Sequence, residues 1–145
     1  MVMLPYYSVF DNLQFKVEGT KVTLIGQVVR GDVKSDAEKA VKKIEGVEAV
    51  DNQIELLPAS INDDQIRRAE YRAIYSDSSL QMYELRSVPP IHIIVEHGRV
   101  TLSGVVQSDV DRMLARSLAT NFDAFSVTNN LKTDAEVRDE REKSE

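Results

Sequence analysis

Val22-Thr23-Leu24-Ile25-Gly26-Gln27-Val28 and Val100-Thr101-Leu102-Ser103-Gly104-Val105-Val106 stand 78 positions apart and agree at five of seven positions. Apolar residues at every second place give the period of a strand covered on one face. A repeat at a fixed offset means that one supersecondary unit occurs twice. A second pair follows in the same order: Val50-Asp51-Asn52-Gln53-Ile54 and Val127-Thr128-Asn129-Asn130-Leu131, offset by 77, so one residue is lost between the two motifs.

Before the first motif, Leu13, Phe15 and Val17 alternate with Gln14, Lys16 and Glu18, and Gly19 supplies a turn, so a hairpin is expected. After it, Ser35 and Glu38 form a capping box for a helix with the apolar stripe Ala37, Ala40, Val41 and Ile44, ended by Gly46. The chain then enters a strand over 47–56. Copy two repeats this with strands at 91–96 and 99–106, a helix over about 109–120 capped by Ser108 or Asp109, and a last strand at 126–132.

Between the copies, a helix capped by Asn62 or Asp63 runs to about residue 75, with Ile66, Ala69, Ala73 and Ile74 facing inward. A further helical segment over 79–86 must end before Pro89-Pro90. Copy one has only 5–12 in the equivalent place, a turn or two, so one of its sheet faces should be under-covered.

The reading is α+β: two tandem αββαβ modules, 1–58 and 63–133, each a three-stranded mixed sheet packed by helices. The first module has a truncated leading helix. A linker at 59–62 joins them, and 134–145 is a frayed helix or disordered tail, since its six acids and three bases leave little to bury.

Composition narrows function. Of 145 residues 42% are hydrophobic, as in soluble globular chains, and none of the apolar runs reaches the eighteen residues of a membrane span. A net charge of −6 argues against nucleic acid as a partner. With no cysteine there is neither a disulfide nor a thiolate site. The first seven residues lack the basic and long apolar regions of a secretory signal, so the protein is either cytoplasmic or exported with its signal removed.

The pattern Val-x-Leu-x-Gly-x-Val, then a helix, then Gly-Val-x-x-Val-x-Asn resembles the BON domain. Its residues here are Val22, Leu24, Gly26, Val28, Gly46, Val47, Val50 and Asn52. Copy two supplies Val100, Leu102, Gly104, Val106, Val127 and Asn129, with Asp123-Ala124 in place of Gly-Val, which implies a different turn after its helix. The resemblance implies a tandem-BON protein of the bacterial envelope, similar to osmotically induced periplasmic proteins. Such modules are expected to associate with membrane phospholipid or with envelope partners, in osmotic or envelope stress. Because precursors of that family usually carry a signal, it implies a periplasmic location for a mature chain that begins at Met1.

Arg67, Arg68 and Arg72, with Arg86 beyond them, offer planar donors for phosphate or carboxylate. Tyr71, Tyr75 and Tyr83, interleaved with them, have the apolar body and polar tip that suit a headgroup boundary. Asp63, Asp64, Glu70 and Glu84 nearby leave open an ordinary solvated face with local ion pairs. Gly26 and Gly104, in mid-strand, mark either the packing of the adjacent helix or contact with a ligand. Asn52 and Asn129 share the parity of core residues and are expected to be hydrogen-bonded, tying down the neighbouring loop.

Ile25 and Ile94 lie on the outer sheet faces, which the other module, a linker helix or a second copy in a homodimer would cover. His92 and His97 fall on opposite faces of one strand, and no phosphate-binding glycine loop is present, so neither catalytic residues, a metal site nor a cofactor is expected. Two functions remain: attachment to membrane phospholipid, or a protein or cell-wall interaction module without lipid affinity.

Overall fold

The computed structural model describes residues 7–85, 89–120 and 124–144. The chain forms two compact units, 1–59 and 60–145. In the first, β1 (Asn12–Glu18) and β2 (Lys21–Val28) form the hairpin, α1 (Gly31–Lys42) crosses over, and β3 (Ala49–Asn52) and β4 (Glu55–Leu56) return beside β2. β1 pairs antiparallel with β2, placing Leu13 opposite Gly26, while β3 and β4 both run parallel to β2. The expected strand over 47–56 is therefore interrupted at Gln53 and Ile54, where the Gln53 amide still bonds the Leu24 carbonyl and the Ile54 amide turns to the Asn52 side chain.

In the second unit, α2 (Ile61–Tyr75) and α3 (Gln81–Glu84) lead into β5 (Ile91–Glu96), β6 (Arg99–Val106), α4 (Asp109–Ala119), β7 (Ser126–Thr133) and α5 (Asp134–Ser144). β5 lies antiparallel and β7 parallel to β6, so each unit is a mixed three-position sheet with its second strand at the centre. Residues 134–144 are helical: Thr133 accepts from the Glu136 amide at 3.2 Å, and Lys132 reaches Glu140 at 3.0 Å.

The cores follow the period-two pattern. Val22, Leu24 and Val28 of β2 meet Val33 and Ala37 of α1 and Ile54, with Tyr7, Leu13, Val41, Val47 and Val50 packed around them. In the second unit Ile91, Ile93 and Val95 of β5 and Val100, Leu102 and Val106 of β6 are buried on one face. α2 packs on β5, α4 on β7, and the two helices on each other.

Two helix starts differ from the sequence reading. α1 begins at Gly31 with Arg30 at its N-cap and no side-chain cap, because Val33 must already be helical to reach the core, where it is fully buried. Ser35 is instead inside the helix, its hydroxyl 3.4 Å from the Gly31 carbonyl. α2 is capped by Ser60, which accepts from the Asp63 amide, in place of the expected Asn62 or Asp63, whereas α4 is capped by Ser108, one of the two residues expected. The sequence reading of α3 extends to Arg86, which lies outside the described residues.

Two asparagines fasten the third strand to the crossover helix in the same way in both units. Asn52 donates Nδ2–H to the Lys34 carbonyl at 3.0 Å and accepts from the Ile54 amide at 3.2 Å. Asn129 donates to the Arg112 carbonyl at 3.1 Å and accepts from the Leu131 amide at 3.2 Å. The inward amides are hydrogen-bonded as expected, but each donates to a carbonyl of the crossover helix and not to a neighbouring loop.

The N–H that follows the central strand is also satisfied in both units, by different residues. Val29 donates to buried Asp11 at 2.8 Å, and Gln107 to the Tyr83 hydroxyl at 2.9 Å.

Candidate binding surface

α2 presents two unlike faces. Its inward row is Asp63, Ile66, Arg67, Glu70 and Ile74, at the spacing of one helical stripe, and every member is buried. Three of the five are charged, and the backbone of β5 and of the turn after it explains two of them. Asp63 accepts from the amides of His97 and Gly98, at 3.0 and 2.9 Å. Those residues form the two-residue turn between β5 and β6, both with positive φ, 53° and 78°. Arg67 donates to the Val95 carbonyl at 2.7 Å and pairs with Asp64 at 2.6 Å.

At the other end of α2, the Tyr75 hydroxyl donates to the Ile91 carbonyl at 2.7 Å and accepts the Ile91 amide at 3.0 Å. The helix is thus pinned to β5 at both ends. Burial, the largest influence, holds the Tyr75 hydroxyl well above the usual phenol range.

Glu70 is the exception in this row. It is fully buried, and neither carboxylate oxygen has a hydrogen-bond partner among the described residues. Burial pushes its carboxyl up to about 7.

The outward row carries Arg68 and Arg72, both exposed and one turn apart, with Tyr71 half-buried between them. Tyr71 packs on Tyr75 with ring centroids 4.9 Å apart. Burial first, then the Glu84 carboxylate to which it is hydrogen-bonded, raise its hydroxyl above the usual range. α4 lies on the same face of the sheet and turns Val110 and Met113 outward, 72% and 70% exposed, with Arg116 beside them. Arg112 is tied to Asp109 and Glu136.

The arginines and tyrosines singled out in the sequence are therefore not gathered at one surface. Arg67, Tyr75 and Tyr83 point inward and bond to the fold, Tyr83 donating to Asp111 at 2.5 Å. Arg68, Arg72 and Tyr71 remain at the surface, while Arg86 lies outside the described residues. Sequence reasoning missed Val110 and Met113, whose signal was available: apolar residues three apart on the side of the helix opposite Ala115 and Ala119.

Gly26 and Gly104 have a backbone explanation. Their φ values are 126° and 128°, and a Cβ would lie 1.9 Å from the Asn12 carbonyl oxygen in one unit and the Pro90 carbonyl oxygen in the other. The crowding element is the hairpin partner's backbone and not the adjacent helix expected from the sequence. Of the outer-face residues, Ile94 is buried at 6% exposure and Ile25 is 37% exposed. His97 sits in the turn after β5, not in the strand.

No helix among the described residues is long and apolar enough to cross a membrane. The model of one family, the BON domain, matches the chain twice, at residues 7–58 and 62–135. Among solved structures, the chain is similar to CdsD, a structural protein of the type III secretion system of Chlamydia trachomatis, at 13% identity and a TM-score of 0.37. That match covers 89% of this chain and 90% of the other. A structure of the C-terminal domain of CdsD matches at 13% identity and a TM-score of 0.30, covering 87% and 91%. No curated protein matches the sequence.

Proposed function

Because the chain belongs to the BON domain family, whose members are non-catalytic binding domains generally associated with the bacterial envelope, we propose that it is an envelope protein that attaches to membrane phospholipid through the helical face of its second unit. The observation that carries this reading is the outward row of α2, where Arg68 and Arg72 stand free of the core beside Tyr71. α2 and α4 cover one face of the sheet, so Val110 and Met113 of α4 are exposed on the same side of the unit. Basic side chains with apolar residues between them suit a headgroup boundary, where guanidinium groups meet phosphate and short apolar side chains enter the acyl region. A periplasmic setting, with a part in osmotic or envelope stress, belongs to the same proposal.

A second reading is favoured by the charge. At −6 the chain as a whole is repelled by anionic lipid. The alternative is therefore attachment to an envelope protein or cell-wall component with no lipid affinity, as a monomer or a homodimer.

Co-sedimentation with vesicles of graded anionic phospholipid content, at low and near-physiological salt, separates the two. The informative variant is Arg68→Ala/Arg72→Ala, because replacing Arg67 would break the bond to Val95 and confound binding with folding. Lipid attachment predicts binding that weakens with salt and falls at least about tenfold in the double variant, as loss of two phosphate contacts would give. Absence of binding at every composition would leave the protein-partner reading.

A further inference from the structure

Between Arg67 and Tyr75, α2 makes no hydrogen bond to β5 among the described residues. The Tyr75 hydroxyl serves both the N–H and the C=O of Ile91, and Arg67 serves the C=O of Val95. Those groups point away from β6, so α2 lies along the free edge of β5, the outer strand of its sheet. The helix rises about 12 Å from Arg67 to Tyr75, and the strand spans about 14 Å from Val95 to Ile91. The two run side by side over this length. Glu70 falls in the unbonded middle, with buried Ile66 and Ile74 one turn to either side.

The charged and titratable groups on the elements packed against α2 are engaged elsewhere or face away. On α2 itself, Asp63 is held by the turn amides, Arg67 by Asp64 and Val95, and Tyr71 by Glu84, while Arg68 and Arg72 are exposed. His92 and Glu96 of β5 alternate with Ile91, Ile93 and Val95 and so belong to the opposite sheet face. Tyr83 of α3 bonds Asp111 of α4. Elsewhere on α4, Arg112 is tied to Asp109 and Glu136, and Arg116 is exposed. The one cation in the inward row is Arg67, whose Nε also has no partner among the described residues.

We propose that Glu70 makes α2 a proton-operated latch: while its carboxyl is neutral the helix stays docked along β5, and loss of the proton releases α2 from a sheet that stays folded. A neutral carboxyl in this seam forfeits hydrogen bonds, whereas a carboxylate forfeits the hydration of a full charge as well. The ladders do not depend on α2. β6 is paired to both β5 and β7, α4 packs on β7, and Asn129 clamps the crossover. As the first element of its unit, α2 can leave without drawing a strand with it. Once undocked, a helix of 15 residues is marginal in water, so its amides exchange.

The sign follows from burial, which pushes the docked carboxyl up to about 7 from the 4.5 of a hydrated one. Below 4.5 both forms hold the proton and docking is at its firmest. As pH rises toward 7 the released form ionises first and docking weakens; above 7 the loss is complete.

Native-state hydrogen exchange of the full chain at pH 5, 6.5 and 8, corrected for intrinsic rates and repeated in low urea, reads the opening residue by residue. From pH 5 to 8 the protection of amides 66–75 and of Ile91 should fall by at least about tenfold. At pH 8 these amides should exchange at least about tenfold faster than those of Val100, Leu102 and Val106, with a weaker dependence on urea, as local opening requires. Glu70→Gln should flatten the pH dependence of α2. Tyr75→Phe, which removes a fastening and not the switch, should lower the protection of α2 at every pH and leave its slope.

Three results would overturn the proposal. Exchange of α2 and β6 amides in one step with equal urea dependence means that the helix never opens alone. A slope that survives Glu70→Gln assigns the titration to His92 or His97. Protection of α2 that is flat from pH 5 to 8 in the parent chain means that Arg67 or water satisfies the carboxylate in place.

Discussion

Glu70 is the residue whose environment is least compensated. Its neighbours in the inward row answer to backbone groups of β5, whereas its own carboxylate oxygens meet no partner among the described residues. In the folded chain its pKa is raised to about 7 from a usual 4.5, so the folded state binds the proton more tightly than the unfolded state. Below about 4.5 both states are protonated and the group is neutral in the balance. As pH rises toward 7 the unfolded chain ionises first and stability falls, and above 7 the whole loss is present. Glu70→Gln should therefore stabilise the protein at pH 8 by on the order of 1–2 kcal/mol and leave it nearly unchanged at pH 4. Thermal melts of both proteins at the two pH values check this, and an equal gap at both would mean that the carboxyl is solvated or paired.

At the scale of elements, the strands were legible in the sequence because alternation in 13–18, 22–28 and 100–106 matches a sheet covered on one face. The mid-strand glycines were legible as a backbone requirement without their cause, since nothing in the sequence gives the distance from Gly26 to the Asn12 carbonyl. The faces of α2 were read less well. A row of Asp63, Arg67 and Glu70 looks solvated, because charged side chains are seldom buried unless paired, and the groups that pair Asp63 and Arg67 lie on a strand and the turn after it, some thirty residues away. An under-covered sheet face in the first unit was expected from the brevity of 5–12, and among the described residues Phe15 and Val17 of β1 are exposed, 59% and 58%.

Helix starts were the weakest part, since Ser35–Glu38 has the spacing of a capping box and yet lies within α1. The two serines should consequently behave differently. Ser108→Ala removes the acceptor for the Asp111 amide and should cost about 1 kcal/mol. Ser35→Ala should change stability by less than about 0.5 kcal/mol, as for an exposed position without a special role. Urea titrations of the two variants beside the parent decide it; a larger loss at Ser35 would mean that α1 starts later than described.

For the molecule as a whole, the common design is a central strand paired to its hairpin partner on one side and, through a helical crossover, to a parallel strand on the other. The asparagine that clamps each crossover spans 18 residues from Asn52 to Lys34 and 17 from Asn129 to Arg112, whereas the hairpins close over two-residue turns. That difference orders events in time. Contacts near in sequence form before distant ones, so the hairpin and helix should be in place at the folding barrier and the clamp should close after it. Asn129→Ala, which strips a partner from the Arg112 carbonyl and the Leu131 amide, should speed unfolding by about tenfold and leave the refolding rate within about twofold. In stopped-flow experiments the unfolding arm alone should move, so each clamp governs how long the folded sheet lasts rather than how fast it is reached.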